Sequence, residues 1–207
     1  MTATSLSNMF SLLSIGFAAP TIERAVIVAD GTFARDVCST AEVLGLPAEV
    51  VSDFATEMQA YEGRNAEEVM HEIRREYTRL FMLDRLIENT EGAWRKKAAG
   101  QTQVFYMIND IAMEVQDFMH SCGVVRPAGY NESVDRIDNE WQFCSILATN
   151  PDYLSEQNIS AEEKLEQFVD EHIKAWVPGM CTQLKEESRI PYYRALAILQ
   201  AALVEAL

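Results

Sequence analysis

Apolar residues recur every three or four positions over most of this chain, and no segment alternates in the period of two that marks a half-buried strand. Val69, Ile73, Tyr77, Leu80 and Phe81 form one stripe, opened by Asn65 and Glu68 at the spacing of a capping pair. Val104, Ile108, Ile111, Val115, Phe118 and Cys122 form a second stripe, which Gly123 ends. Val134, Ile137, Trp141 and Cys144 make another seam. Ser160 with Glu163 opens a helix carrying Leu165, Phe168, Val169, Ile173 and Trp176, which Pro178 is expected to break or kink. Pro191 suits the first turn of a last helix with Tyr192, Leu196, Leu199 and Leu203. Nearer the start, 9–19 reads as a helix packed on the domain. Residues 32–44 and 47–61 read as two more, parted at Gly45-Leu46-Pro47. Segments 88–102 and 123–131 read as irregular. The expected fold is all-α: a single helical bundle domain over 1–207, in two unequal halves of about 1–122 and 132–207 joined by 123–131.

Composition agrees with a folded domain, since 48% of the 207 residues are hydrophobic and 24% charged. The formal charge of −15 repels phosphate backbones and anionic lipid, which argues against nucleic acid as a partner. Eleven acids lie between Glu132 and Glu171 against only Arg136 and Lys164. That stretch is either a set of solvated helix faces or a surface that attracts a basic peptide. Cys38, Cys122, Cys144 and Cys181 are too far apart for a zinc motif and read as apolar residues of a reduced protein. The apolar run 9–19 has no base ahead of it, the first being Arg24, and is too short to span a bilayer. A cytoplasmic protein without stable membrane insertion is expected.

Candidate chemistry is sparse. Glu68 and His71, and Asp117 and His120, have the carboxylate-to-histidine spacing of di-metal bundles. Each histidine sits two residues past an apolar position, about 200° round the helix from the core stripe, so both should face water. No phosphate loop or Gly-x-Gly-x-x-Gly is present. No metal or other cofactor is expected, and the chain reads as a protein that grips another protein rather than as an enzyme. The competing readings are a helical di-metal carboxylate enzyme and a general helical adaptor. The densest constellation is His172-Ile173-Lys174-Ala175-Trp176-Val177-Pro178, followed by Ile190-Pro191-Tyr192-Tyr193-Arg194-Ala195-Leu196. Taken singly, Trp176 and Tyr192 are core aromatics, Pro178 is punctuation and His172 is a hydrogen-bonded interface residue.

Taken together, these residues resemble the TorD/DmsD family of redox-enzyme maturation chaperones, related more distantly to NarJ-type chaperones. Ile73-Arg74-Arg75-Glu76-Tyr77-Thr78-Arg79-Leu80-Phe81 is similar to the family's Glu-Tyr-x-x-Leu-Phe helix. Glu132-Ser133-Val134-Asp135-Arg136, then Glu140, is similar to its Glu-Pro-x-Asp-His motif. His172, Trp176, Pro178 and Tyr192 match its C-terminal pair, so the resemblance covers 65–207. It implies a TorD-type bundle and a chaperone that binds the N-terminal, twin-arginine type signal peptide of a molybdopterin oxidoreductase catalytic subunit. The client would be held until its cofactor is installed. Glu132, Asp135 and Glu140, with Arg136 between them, would then meet the client's arginines. Tyr77, Leu80, Phe81, Trp94 and Trp141 would offer apolar contact. The alternative for Tyr77, Leu80, Phe81 and Trp141 is plain core. Ser133 replaces the family's proline, and Arg136 replaces its histidine and is expected to pair with Asp135. Met82-Leu83-Asp84 follows the Leu-Phe pair where a proline is usual. A monomer or a homodimer exchanging halves about 123–131 is implied.

Overall fold

The computed structural model describes residues 2–83, 85–101, 109–125, 127, 129–149 and 160–207. The helices are α1 (Ala3–Phe17), α2 (Ile22–Ala29), α3 (Thr32–Leu44), α4 (Ala48–Met58), α5 (Ala66–Tyr77), α6 (Glu91–Ala98) and α7 (Asp110–Ser121). They continue as α8 (Ile137–Thr149), α9 (Ala161–Phe168), α10 (Lys174–Glu187) and α11 (Pro191–Ala206). A 3₁₀ turn, Gln59–Tyr61, extends α4, and wide π-helical turns follow α5 (Thr78–Leu83) and α9 (Val169–Ile173). Among the described residues no strand forms, which bears out the all-α class; the nearest thing is one antiparallel bridge between Thr90 and Arg136.

The caps behave as their chemistry dictates. Asn65 accepts from the backbone N–H groups of Glu67 and Glu68, and Ser160 accepts from that of Glu163. Gly45 (φ 75°) and Gly123 (φ 74°) adopt the left-handed conformation that ends α3 and α7 without a Cβ penalty.

Four features differ from the sequence reading. Helix α6 lies inside the segment expected to be irregular. Its inward face is Glu91, Gly92 and Ala93, so no large apolar stripe announces it. Helix α2 is also silent in the pattern, being eight residues long with small residues, Ala25, Val28 and Ala29, turned inward. Helix α7 starts at Asp110 because the Asn109 side chain caps it, accepting from Ala112 N–H at 2.9 Å. Val104 and Ile108 lie outside the described residues. Pro178 does not break its helix: the π-helical turn Val169–Ile173 already interrupts the regular ladder just before it, and α10 runs on to Glu187.

One continuous hydrophobic core extends from Met9 to Val204. Helix α1 lies along α8, where Phe10 stacks on Trp141 at 5.4 Å and the hydroxyls of Ser7 and Ser11 meet that of Ser145 at 3.0 and 2.8 Å. Helix α11 packs on α4 and α10, α2 on α5, and α6 on α10. Each fully enclosed side chain of the size of Phe10 or Leu13 contributes roughly 1.5–3 kcal/mol, so these crossings dominate stability. Helices from before and after 123–131 therefore interlock. Among the described residues no single helix is long and apolar enough to cross a membrane.

Candidate functional site

Two backbone hydrogen bonds set up the site. Glu91 N–H donates to the Asp135 carbonyl at 2.8 Å, and Ile137 N–H to that of Asn89 at 3.0 Å. They clamp the start of α6 against the start of α8, and three carboxylates meet where they join. Asp135 accepts from Gly92 N–H at 2.9 Å and from the Ser133 hydroxyl. Glu91 accepts from Arg95 Nη1 at 2.7 Å and its other oxygen lies 2.9 Å from His172 Nδ1. Glu140 accepts from Trp176 Nε1 at 3.0 Å, while its second oxygen, Oε1, is buried with no donor among the described residues. The carboxylate-bearing residues are all enclosed, and His172 packs against the rings of Phe168 and Phe118 at 4.7 and 5.9 Å.

Enclosure among like charges decides the protonation here. Burial, then repulsion from Glu91 and Asp135, raises the Glu140 carboxyl well above its usual range. Burial also raises Asp135, against the pull of Ser133 and the Gly92 N–H. The junction joins the Asp135-to-Glu140 motif to the His172-to-Trp176 motif, as a combined role requires. Its linking residue, Glu91, has no signature in the sequence, because a lone acid on a helix of small residues reads as solvated.

Arg136 corrects one expectation. Its guanidinium forks onto Asp138 at 2.9 and 2.8 Å and reaches Glu132 at 2.5 Å, and does not pair with Asp135. Arg136 sits in the bridge opposite Thr90, and neighbouring side chains on extended backbone point to opposite faces. Asp135 therefore turns inward and Arg136 toward Glu132. Ser133, in place of proline, supplies a hydroxyl for Asp135.

Most residues expected to face a peptide are interior. Tyr77, Leu80, Phe81 and Trp141 are buried; Tyr77 and Phe81 pack edge to face, and Trp141 donates to Gln200 Oε1 at 2.7 Å. Tyr192 is buried too and donates to the Gly16 carbonyl at 3.0 Å. Trp94 is half-buried against α10, where its Nε1 donates to Gln183 at 3.1 Å. After the Leu-Phe pair, Met82 and Leu83 are exposed. Glu132 alone of the three expected arginine acceptors stays open, with 59% of its side chain in solvent.

Glu132 lies in the chain between Tyr130 and Val134, both of which line an apolar groove of about 330 Å³ between α7, the connection and α8, with Met119, Val124, Val125, Pro127 and Phe143; it does not itself line that groove. Tyr130 also donates to Asn139 at 2.7 Å. Burial raises the Tyr130 hydroxyl pKa, and the charges of Asp138, Arg136 and Glu132 all act on it. Val124, Val125 and Pro127 were the available signal for this groove: apolar residues in a connection, where no helical spacing explains them. His71 and His120 are exposed, and among the described residues no group of three His, Cys, Asp or Glu side chains is placed to hold a metal.

The fold and the motif junction define an all-helical domain whose paired motifs meet in one buried polar cluster. The chain belongs to the nitrate reductase delta subunit family, whose model matches residues 46–182. That family, made up of molybdoenzyme maturation chaperones, places the chain in the TorD/NarJ superfamily, in agreement with the resemblance. The matched span holds every motif from Tyr77 to Pro178 and stops short of α11. No curated protein matches the chain.

Proposed function

We propose that this chain is a cytoplasmic chaperone that holds the N-terminal, twin-arginine type signal peptide of a molybdopterin oxidoreductase catalytic subunit until the cofactor is inserted. The observation that carries this reading is the apolar groove, with the solvent-exposed Glu132 carboxylate, paired with Arg136, between two of its lining residues in the chain. A signal peptide joins a basic stretch to an apolar one. Its apolar part fits the groove between α7 and α8, and a guanidinium donates a charge-assisted bond to Glu132. Arg136 then keeps its fork on Asp138. The net charge of −15 draws a basic peptide in at long range. Asp135, Glu140 and the buried aromatics hold the segment that carries Glu132, and Trp94 braces α6 on α10.

Calorimetry with a synthetic peptide of the cognate subunit's N-terminus tests this. Binding at about 1 µM or tighter is expected, weakened by added salt and several-fold by Glu132→Ala. No heat and no shift in melting temperature would sink the reading. We also propose that the chain is a monomer or a dimer exchanging halves about 123–131, since α1 with α8 and α4 with α11 re-form equally well between protomers. Light scattering over a concentration series distinguishes the two.

A further inference from the structure

The buried junction holds more carboxylate than its cations answer. Glu91, Asp135 and Glu140 are fully enclosed, and among the described residues Arg95 alone brings a fixed positive charge to them, on Glu91, whose other oxygen meets His172 Nδ1. Arg136 is turned away toward Asp138 and Glu132. Glu140 meets the Glu91 carboxyl from α6, Asp135 from the bridge, and Cys144 one turn along α8. From α10 it meets the Trp176 indole. The other helices packed on α8 present uncharged groups to the described contacts: the Phe10 ring from α1, the Phe168 ring from α9 and the Gln200 amide from α11. Among the described residues Glu140 Oε1 has no donor, its carboxyl neighbour Glu91 having no proton to give when ionised, and an ionised oxygen so placed would carry a full desolvation cost. Protonation removes the cost twice over. It neutralises Glu140 and turns the orphan acceptor into an O–H donor aimed among carboxylates.

We propose that Glu140, Glu91, His172 and Trp176 form a proton-dependent clasp, in which one proton held between the Glu140 and Glu91 carboxyls locks α6 to α8 and α10. Loss of that proton to solvent sets two carboxylates against each other and releases α6, and with it the Thr90–Arg136 bridge behind Glu132. The clasp stands independently of which peptide the chain binds.

The pH dependence follows in sign. Glu140 has an ordinary pKa of 4.5 in the unfolded chain and a raised one in the fold. Its contribution is fully present below the unfolded value and is lost as pH rises through the folded one. Hydrogen exchange of the α6 amides, corrected for intrinsic rates, reads the opening directly as pH is raised from the ordinary carboxyl value of 4.5 to the alkaline limit of the folded state. Opening of α6 is expected to rise at least tenfold over that range in the native chain and to stay flat in Glu140→Gln. The glutamine keeps an acceptor for Trp176 and a permanent donor for Glu91. The infrared spectrum of the native chain carries a second test that needs no variant. A protonated acid carbonyl band that shifts on carboxyl-labelling of glutamate is expected to persist above pH 4.5, where an ordinary glutamate has lost its proton, and to fade as pH is raised further. Unchanged pH dependence in Glu140→Gln, or no such glutamate band in the native chain, would overturn the clasp.

Discussion

Two adjacent tyrosines show how little residue type says about a side chain's contribution. Tyr192 and Tyr193 both open α11 and both are buried, their rings meeting edge to face at 5.1 Å. The Tyr192 hydroxyl donates to the Gly16 carbonyl at 3.0 Å and ties α11 to the end of α1. The Tyr193 hydroxyl is buried with no partner among the described residues. A made buried hydrogen bond contributes about 1 kcal/mol, whereas an unmade one leaves a desolvated polar group. Tyr192→Phe is therefore expected to cost about 1 kcal/mol or slightly more, because it orphans the Gly16 carbonyl. Tyr193→Phe should be neutral or stabilising by up to about 1 kcal/mol. Urea denaturation of the two variants side by side checks the contrast, and equal losses would contradict it. The sequence placed both tyrosines on a helix but held nothing to separate them, since their partners are fixed by distant elements. Asp135 and Arg136 are the same case: an ion pair between chain neighbours was the natural expectation, and the direction of extended backbone prevented it.

At the scale of elements, legibility follows the size of the inward residues. Helix α5 was plain because Val69, Ile73 and Tyr77 are large and regularly spaced. Helix α6 was invisible because Glu91, Gly92 and Ala93 face inward and Trp94 lies along the side. Its packing explains the small residues. A Cβ on Gly92 would overlap the Asn109 side chain, and one on Gly179 of α10 would overlap the Trp94 ring. In an open helix, Gly→Ala gains about 1 kcal/mol. Here Gly179→Ala should instead lose roughly 1–2 kcal/mol, because the indole must leave its seat and its bond to Gln183. A lowered denaturation midpoint with a shifted tryptophan emission would confirm the displacement. A rise in the midpoint would mean that Trp94 does not brace the two helices.

For the whole molecule, charge and connectivity were legible and their arrangement was not. The acidic stretch from Glu132 to Glu171 divides on folding. Glu132 stays in solvent, Asp138 is buried under Arg136, and Asp135 and Glu140 go to the interior, so the formal charge overstates what a partner meets. Asp152 and Glu156 lie outside the described residues. Segment 123–131 read as an irregular connection between two halves, yet a connection in sequence need not be a boundary in space. Helix α1 buries Phe10 and Leu13 beneath α8, and α11 spends much of its buried face on α4. Either half alone would expose these apolar surfaces to water, and a unit lacking a closed core has no cooperative transition. Residues 1–122 produced alone are thus expected to be partly helical but to melt without a sharp transition. Mixing them with 132–207 should restore one cooperative melt, because the missing surface is supplied by the partner fragment and not by the covalent link. Calorimetry of each fragment and of the equimolar mixture decides it: a cooperative melt from 1–122 by itself would show that the interlocking of α1 with α8 is dispensable to the core.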